Sequence, residues 1–334
     1  MNNVTDILSG STKPTHCDLI INENCMLECR MCHMWQSGNS GADLGDEIWR
    51  GFIDSLGDFV KGKAQIQFVG GEPLLRKGVL GLVRHASGKG FLTTMTTNAY
   101  LIDGKIARDI VSSGLNTIVI SLDGIDRKTH DFLRGRSGVY DRAMNAIKLI
   151  SEFGGDSPEI HIMTTIMEPN LDELSGLAEW ANQNSAVDSI SFQAVMQPFF
   201  TNFRNDWYAD ENFSFLWPKD AARVGDALDR LINFKRQGYK ITNPVPQLNT
   251  FKDYFRDPGR FVKNGHCNLG YNAISVNTAG KIFFCLALEP VGDIRDNVSV
   301  EALWASEKAA HARQQIKKCQ KNCKSMINCF FEEE

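Results

Sequence analysis

The sequence lacks several features that would assign it to a class at once. No apolar run approaches the ~18 residues that a membrane-spanning helix needs. The first residues, MNNVTDILSGSTKPTH, have neither the basic start nor the apolar stretch of a signal peptide. Basic residues are not in excess, because 36 Lys and Arg stand against 40 Asp and Glu, a net charge of −4. We therefore expect a cytoplasmic protein that binds neither membranes nor nucleic acid.

Cysteine is absent from the long middle of the chain, between Cys32 and Cys267. Four of the nine cysteines lie at or before Cys32, and five lie at or after Cys267. In a reducing compartment such clusters bind metal more often than they form disulfides. Cys17 stands apart in an apolar run, and we expect it in the core.

The first cluster, at Cys25, Cys29 and Cys32, has the spacing C-x3-C-x2-C. A structural zinc site and a 4Fe–4S cluster both use four ligands. Three thiolates would leave one iron of a 4Fe–4S cluster without a protein ligand, and a substrate or cosubstrate could coordinate there. The alternatives are a zinc site completed by His33 and a set of buried structural cysteines, although packing is the favoured role for His33 itself.

Between the clusters, short apolar runs alternate with amphipathic segments, and 43% of the 334 residues are hydrophobic. This alternation predicts a parallel sheet with right-handed crossovers, covered on both faces. Periodicity does not choose between a barrel, a partial barrel and a doubly wound sheet. The strands are predicted at 17–22, 64–70, 91–98, 116–123, 159–167 and 189–195. The helices are predicted at 43–60, 75–88, 103–113, 138–153, from about 171 after a start at Asn170 and Glu173, and at 218–237.

Polar residues follow the predicted strands, where parallel strands bring their carboxyl ends to one edge. Each alone is typical of a turn, but together, beside a three-cysteine loop, they form a candidate pocket. They are Gly70, Gly71 and Glu72; Thr96, Thr97 and Asn98; Ser121 and Asp123; Thr164 and Thr165; Gln193 and Gln197.

Three motifs in order resemble the radical S-adenosylmethionine (SAM) superfamily. C-M-L-E-C-R-M-C (25–32) matches its CxxxCxxC loop, with Met31 where an aromatic residue is common. V-G-G-E-P-L-L (69–75) matches its GGEP motif. I-S-L-D-G (120–124), followed by H-D-F-L-R-G (130–135), is similar to the fourth-strand region of SPASM-type members. The resemblance implies a partial (β/α)6 barrel.

The resemblance also implies the cofactors. Cys25, Cys29 and Cys32 would bind a 4Fe–4S cluster whose open iron chelates SAM, and an electron from a flavodoxin- or ferredoxin-type donor would cleave SAM to methionine and a 5′-deoxyadenosyl radical. The implied SAM contacts are Gly70, Gly71 and Glu72 at the amino group, Ser121 and Asp123 at the ribose or methionine end, Asn98 in the pocket wall, and Arg134 as a carboxylate partner. The catalytic base stays open, with His130 and Asp123 as candidates.

The C-terminal cysteines resemble an auxiliary iron–sulfur domain called SPASM, or its shorter form, twitch. Gly280 would form the turn between two short strands, ISV and KIFF, that bring Cys267 and Cys285 together. Five cysteines are too few for two further clusters. We therefore expect one auxiliary 4Fe–4S cluster, with a zinc site as the alternative. Its ligands would be Cys267, Cys285 and two of Cys319, Cys323 and Cys329, with Cys319 and Cys323 favoured by order.

These observations divide the chain into three parts. Residues 1–198 form the barrel, 199–260 an aromatic-rich linker or lid with a helix, and 261–334 the auxiliary cluster domain. In the second part, Trp207 and Tyr208 either pack against the barrel or cover the substrate. In the third, the lysines near Cys319 either form a solvated helix face or help an electron donor to dock; they are Lys317, Lys318, Lys321 and Lys324.

Three functions fit this sequence. The first is oxidation of a small metabolite, a sugar- or aminocyclitol-like alcohol, in which the auxiliary cluster accepts an electron; radical epimerisation is its variant. The alternative is modification of a ribosomal peptide or a protein side chain. We expect residues 1–16 to be too few for a leader-binding domain, which disfavours that alternative. The third is a non-enzymatic electron carrier, for which a GGEP motif has no use.

Overall fold

The computed structural model describes residues 13–36, 44–155, 157–198, 201–202, 204–258, 267–296, 299–319 and 328. Cys323, Cys329, Lys321 and Lys324 lie outside these ranges. Within them, no helix combines the length and the apolar character that crossing a membrane requires.

Six parallel strands form the wall of the barrel. They pair in chain order, from β1 at one side to β6 at the other. A doubly wound sheet reverses its strand order at a switch point, and no reversal occurs among these six. The prediction of a partial (β/α)6 barrel is therefore confirmed. The strands are β1 His16–Asn22, β2 Gln65–Gly70, β3 Leu92–Thr97, β4 Thr117–Ser121, β5 Glu159–Ile166 and β6 Ser189–Ala194.

Helices return the chain between the strands. In the first, Trp49, Phe52, Ile53 and Leu56 recur at spacings of three and four, and all four are buried, as expected for a helix that packs one face on a sheet. The helices are α1 Asp46–Val60, α2 Val79–Gly88, α3 Gly104–Val111, α4 Arg127–Arg134, α5 Val139–Gly154 and α6 Leu174–Gln183. Short 3-10 turns lie at Met34–Gln36, Pro73–Leu75, Glu168–Glu173 and Trp207–Ala209.

The two faces of the sheet are not covered equally at every strand, although β4 is buried on both faces, as expected. In β5 the side chains alternate between buried and half-buried positions, and Met163 is among the half-buried ones. Some polar side chains bond across strands: Gln65 Nε2 donates to Thr94 Oγ1 at 2.7 Å, and His161 Nδ1 lies 2.7 Å from Ser189 Oγ. β1 and β6 do not pair, so the barrel is not closed.

A C-terminal hairpin extends the barrel sheet. β7 (Ala273–Val276) pairs parallel with β1, and β8 (Lys281–Phe283) and β9 (Gly292–Asp293) continue antiparallel. Gly280 lies in the turn with a φ of 78°, which confirms the predicted hairpin. Three helices complete this region: α9 Leu269–Asn272, α10 Val300–Trp304 and α11 Glu307–Lys317.

The linker between barrel and hairpin contributes two helices, α7 (Ala221–Arg236) and α8 (Val245–Arg256). The second was not predicted. Trp207 is 1% exposed and packs edge-on against Trp217, with ring centroids 5.6 Å apart. Tyr254 Oη donates to the Val195 carbonyl at 2.9 Å. Trp207 therefore belongs to the core. This favours packing of the segment against the barrel over a lid that covers the substrate.

The outer edge of β6 is covered by a parallel backbone bridge between Ile190 and Ile241 and, further along, by two asparagine side chains. Asn243 accepts from the Phe192 N–H at 2.7 Å and donates to the Phe192 carbonyl at 2.9 Å. Asn328 does the same for Ala194, at 2.9 and 3.0 Å. Each amide replaces the peptide group of a missing strand, so this edge has its hydrogen bonds without a seventh strand.

Helix α4, which the periodicity did not predict, holds the cysteine loop. The Arg30 N–H donates to the Leu133 carbonyl at 2.8 Å. The helix ends at Gly135, with a φ of +70°, where an added Cβ would lie 2.2 Å from the Glu28 carbonyl oxygen. Only glycine lets the helix end approach the loop so closely.

A Gly135→Ala substitution tests this contact. We expect it to push the loop away and to lower the iron bound after anaerobic reconstitution, measured as iron per chain. Gly138→Ala is the matched control, because Gly138 has a φ of +81° but nothing within 4 Å of its Cβ position. The control should lose about 1 kcal/mol of stability and keep its iron. Equal iron in the two variants would contradict the role of the contact.

Candidate active site

The cysteine loop follows β1 at the carboxyl end of the sheet. Cys29 is buried, and Cys25 and Cys32 are half-buried. Burial raises the pKa of all three thiols, and the charges of neighbouring cysteines contribute to the rise at Cys25 and at Cys29, whose pKa reaches about 12. Without a metal the thiols are therefore protonated at neutral pH, and a metal that binds them displaces their protons.

Two side chains offer N–H groups to these sulfurs. Asn98 Nδ2 lies 3.6 Å from Cys25 Sγ, and Arg134 Nη1 lies 3.9 Å from Cys29 Sγ. Both contacts favour negative charge on sulfur. They place the predicted residues Asn98 and Arg134 next to the cysteines, as the pocket prediction requires.

The donor set fits an iron–sulfur cluster better than a single ion. In the described ranges, no three Cys, His, Asp or Glu side chains gather closely enough to bind one metal ion. His33 packs against Phe213, with ring centroids 5.2 Å apart, which is the packing role that the sequence favoured. A 4Fe–4S cluster binds each thiolate on a different iron, which suits ligands that are spread over one loop.

The glycines of the GGEP motif lie against the start of the cysteine loop. The Gly71 N–H donates to the Asn22 carbonyl at 3.0 Å, and the Glu72 N–H donates to the Asn24 carbonyl at 2.8 Å. A Cβ on Gly71 would lie 2.2 Å from the Asn24 oxygen. The glycines therefore allow the backbone that follows β2 to lie directly against the backbone at the start of the cysteine loop.

Glu72 is fully buried at the base of the pocket. One carboxyl oxygen accepts from Thr97 Oγ1 at 2.7 Å and the other from the Asn98 N–H at 2.8 Å. Burial raises the pKa of Glu72 to about 7, against the lowering effect of these donors. The side chain therefore positions Asn98, and through it the contact with Cys25.

Asp123 and Arg134 form a buried ion pair, with Oδ2 and Nη2 2.6 Å apart. The other oxygen of Asp123 accepts from the Thr165 N–H at 2.8 Å. Burial raises the pKa of the Asp123 carboxyl, and Arg134 opposes that rise. The pair joins β4 and β5 to the cysteine loop. Ser121, at the end of β4, is also buried.

His130 and Asn170 support the Asp123 backbone. His130 Nδ1 accepts from the Asp123 N–H at 3.0 Å. Burial lowers the pKa of His130 well below its usual value, so the ring is neutral and this nitrogen is free to accept. Asn170 Nδ2 donates to the Asp123 carbonyl at 2.7 Å and to the Thr165 carbonyl at 2.8 Å. The predicted helix start near Asn170 corresponds to the 3-10 turn Glu168–Glu173, which leads into α6 at Leu174. Asn170 Oδ1 also accepts from the Met167 N–H at 2.8 Å, so this side chain both caps the turn and bridges to Asp123.

The structure locates only part of the auxiliary set. Cys267 and Cys285 are half-buried on either side of the β7–β8 hairpin, and Cys319 is exposed after α11. Thr278, in the hairpin turn, donates to Glu23 Oε1 at 2.8 Å, which ties the hairpin to the residues that lead into the cysteine loop. The buried Cys17 lies in β1, as predicted.

Comparison with known proteins agrees with this arrangement. The model of the Radical SAM superfamily matches residues 19–181. AdoMet-dependent heme synthase of Methanosarcina barkeri is 29% identical over 49% of this chain and 46% of its own length, so the chain spans about half of that relative. PqqA peptide cyclase of Bradyrhizobium diazoefficiens is 25% identical over 94% of this chain and 78% of its own length.

A solved structure shares the fold. Streptococcus suis SuiB, crystallised with S-adenosylmethionine, superimposes with a TM-score of 0.69 at 16% identity, over 93% of this chain and 70% of that one. SuiB has also been crystallised with its precursor peptide, SuiA. Three thiols on one loop, the GGEP strand beside them and the family match together place residues 19–181 of this chain in the Radical SAM superfamily.

Proposed function

We propose that this radical SAM enzyme modifies a ribosomally made peptide or a protein side chain. The observation that carries the proposal is the reach of the similarity to PqqA peptide cyclase, which extends over 94% of the chain. The similarity to the heme synthase covers only 49% of the chain, which is close to the length of the family match at residues 19–181. Similarity outside the barrel supports a shared substrate class, because barrel residues serve the chemistry that all members have in common.

The chain supplies the binding site for that chemistry. Cys25, Cys29 and Cys32 would hold a 4Fe–4S cluster, which supplies the electron for SAM cleavage when bound. Asn98 and Arg134 donate toward the sulfurs. The packing beneath the loop is dense, since Glu72 and Asp123 are both fully buried.

The open barrel is compatible with a long substrate. Its inner face carries half-buried polar side chains, such as Gln67 and His161, that now bond side chains of neighbouring strands. A peptide on the open side of the barrel would exchange some of these bonds for its own. Addition of the peptide as a strand on β6 is disfavoured, because Asn243 and Asn328 already occupy that edge. Recognition would therefore use side chains rather than strand pairing. The reach of the similarity to PqqA peptide cyclase favours peptide modification over oxidation of a small alcohol, our first expectation.

A deuterium transfer assay separates the two substrate classes. Extract from host cells grown in heavy water is split by size, and each fraction is incubated under argon with reconstituted enzyme, SAM and dithionite. We expect deuterium in 5′-deoxyadenosine from the peptide and protein fraction, and loss of that label after protease treatment of the fraction. Unlabelled extract is the control. Label from the small-molecule fraction alone would contradict the proposal and favour metabolite oxidation.

We also infer one auxiliary 4Fe–4S cluster, held by Cys267, Cys285 and two of Cys319, Cys323 and Cys329. The hairpin that joins the first two supports this ligand set, because β7 and β8 pair in register and the turn at Gly280 is tight.

Replacement of Cys285 tests the auxiliary cluster. In Cys285→Ala we expect iron to fall from about eight to about four atoms per chain, while SAM cleavage without substrate continues and product formation stops. Cys17→Ala, which removes a thiol from the core, is the control and should keep all its iron. A Cys285→Ala protein with unchanged iron would show that this cysteine is no ligand.

A further inference from the structure

Three exposed arginines surround the outer side of the cysteine loop. Arg136 and Arg142 lie over the Tyr100 ring, 4.4 and 5.5 Å from its centroid. Arg30 lies 5.1 Å from the centroid of Phe132, which is itself 46% exposed. These five residues form one surface, which we name the arginine rim.

The arginine rim touches the loop directly. Arg136 Nη1 donates to the Met26 carbonyl at 3.3 Å, one residue from Cys25. Arg30 follows Cys29 in the chain, and its Nε donates to the Phe132 carbonyl at 3.4 Å. A molecule bound to this surface would therefore lie within a few residues of the cysteines that we assign to the cluster.

The charge of the arginine rim is not neutralised. In the described part of the chain, Arg30, Arg136 and Arg142 form no ion pair, whereas other exposed arginines, such as Arg127 and Arg223, do.

Among the acidic side chains on the same elements, most are already engaged. Asp131 accepts from the Gly138 and Tyr140 N–H groups, and Asp141 pairs with Arg127. Glu28 is exposed. Hydrogen bonds from backbone N–H groups leave Asp131 charged. The three arginines of the rim therefore outnumber two carboxylates, Asp131 and Glu28, and a net positive patch remains on a molecule whose net charge is −4.

Radical SAM chemistry requires an electron from outside the protein. One electron breaks the bond between the SAM sulfur and the 5′ carbon, giving methionine and the 5′-deoxyadenosyl radical, and the electron carrier is oxidised by one electron. The carrier has to approach the cysteine loop closely, and a positive surface beside the loop would attract and orient an acidic carrier.

We propose that the arginine rim is the docking surface for a small, acidic, flavodoxin-type carrier protein. The arginines attract its carboxylates, and the faces of Tyr100 and Phe132 provide apolar contact. The inference rests on the reductive cleavage of SAM and not on the identity of the substrate. It assigns docking to the loop rather than to the tail lysines Lys317 and Lys318, which were the other expectation.

The test uses the full-length reconstituted enzyme with two electron sources. The rate of 5′-deoxyadenosine formation is measured with purified flavodoxin, kept reduced by its NADPH-dependent reductase, and with dithionite. The variants are Arg142→Glu, which makes no bond to the loop, and the double variant Arg136→Glu/Arg142→Glu. Arg108→Glu is the matched control: Arg108 stacks over Phe153 at 4.4 Å, and Phe153 lies about three helical turns along α5 from Arg142.

With limiting flavodoxin at low salt, we expect the double variant to be about tenfold slower than the wild type, and Arg142→Glu to be intermediate. Added salt should narrow this difference, since it screens exposed charges. With dithionite Arg142→Glu should match the wild type, and Arg108→Glu should match it in both assays. Arg136→Glu also removes a bond to the Met26 carbonyl, so the flavodoxin-driven rate of the double variant is compared with its own dithionite-driven rate.

Three results would overturn the proposal. Equal flavodoxin-driven rates would exclude docking on the rim while leaving the function intact, provided dithionite supports cleavage. A loss of the flavodoxin-driven rate that is confined to the double variant Lys317→Glu/Lys318→Glu would show that the carrier docks on the tail. An unchanged flavodoxin rate with a raised KM for the peptide fraction, measured with dithionite, would make the rim a substrate surface.

Discussion

The active site depends on one buried guanidinium. Arg134 pairs with Asp123 at 2.6 Å and lies 3.9 Å from the sulfur of Cys29. A buried charge is costly unless it is paired and hydrogen-bonded, and here the Thr165 N–H satisfies the other carboxyl oxygen. The ion pair therefore links α4, which carries Arg134, to the end of β4 and, through Thr165, to β5. Because Arg134 also contacts Cys29, this link helps to position the cysteine loop.

The open barrel imposes a second constraint on the structure. Six strands do not close into a full barrel, so polar backbone groups at β6 and polar side chains on the inner face need partners. Asn243 and Asn328 supply them at the edge, and cross-strand bonds such as Gln67 Nε2 to Thr96 Oγ1 supply them inside. The result is an unclosed barrel, beside the cysteine loop, in which the polar groups at these positions find partners within the chain.

Local pattern predicted the strands, the hairpin and the three-cysteine loop, because alternation and spacing are properties of neighbouring residues. It did not predict α4, whose mean composition is polar, or the roles of Asn170 and Asn328, because their partners are distant in the chain. Glu72 shows the same limit. Its motif indicated a place in the pocket, but only the fold shows that Thr97 and Asn98 already bond both of its oxygens.

The central claim is that Cys25, Cys29 and Cys32 form the site of SAM cleavage. The most direct measurement is the yield of 5′-deoxyadenosine and methionine from anaerobically reconstituted Cys29→Ala, with dithionite as reductant and mass spectrometry as readout. Wild type and Cys17→Ala should form both products in equal amounts, and Cys29→Ala should form neither. Cleavage of SAM by Cys29→Ala at the wild-type rate would contradict the account.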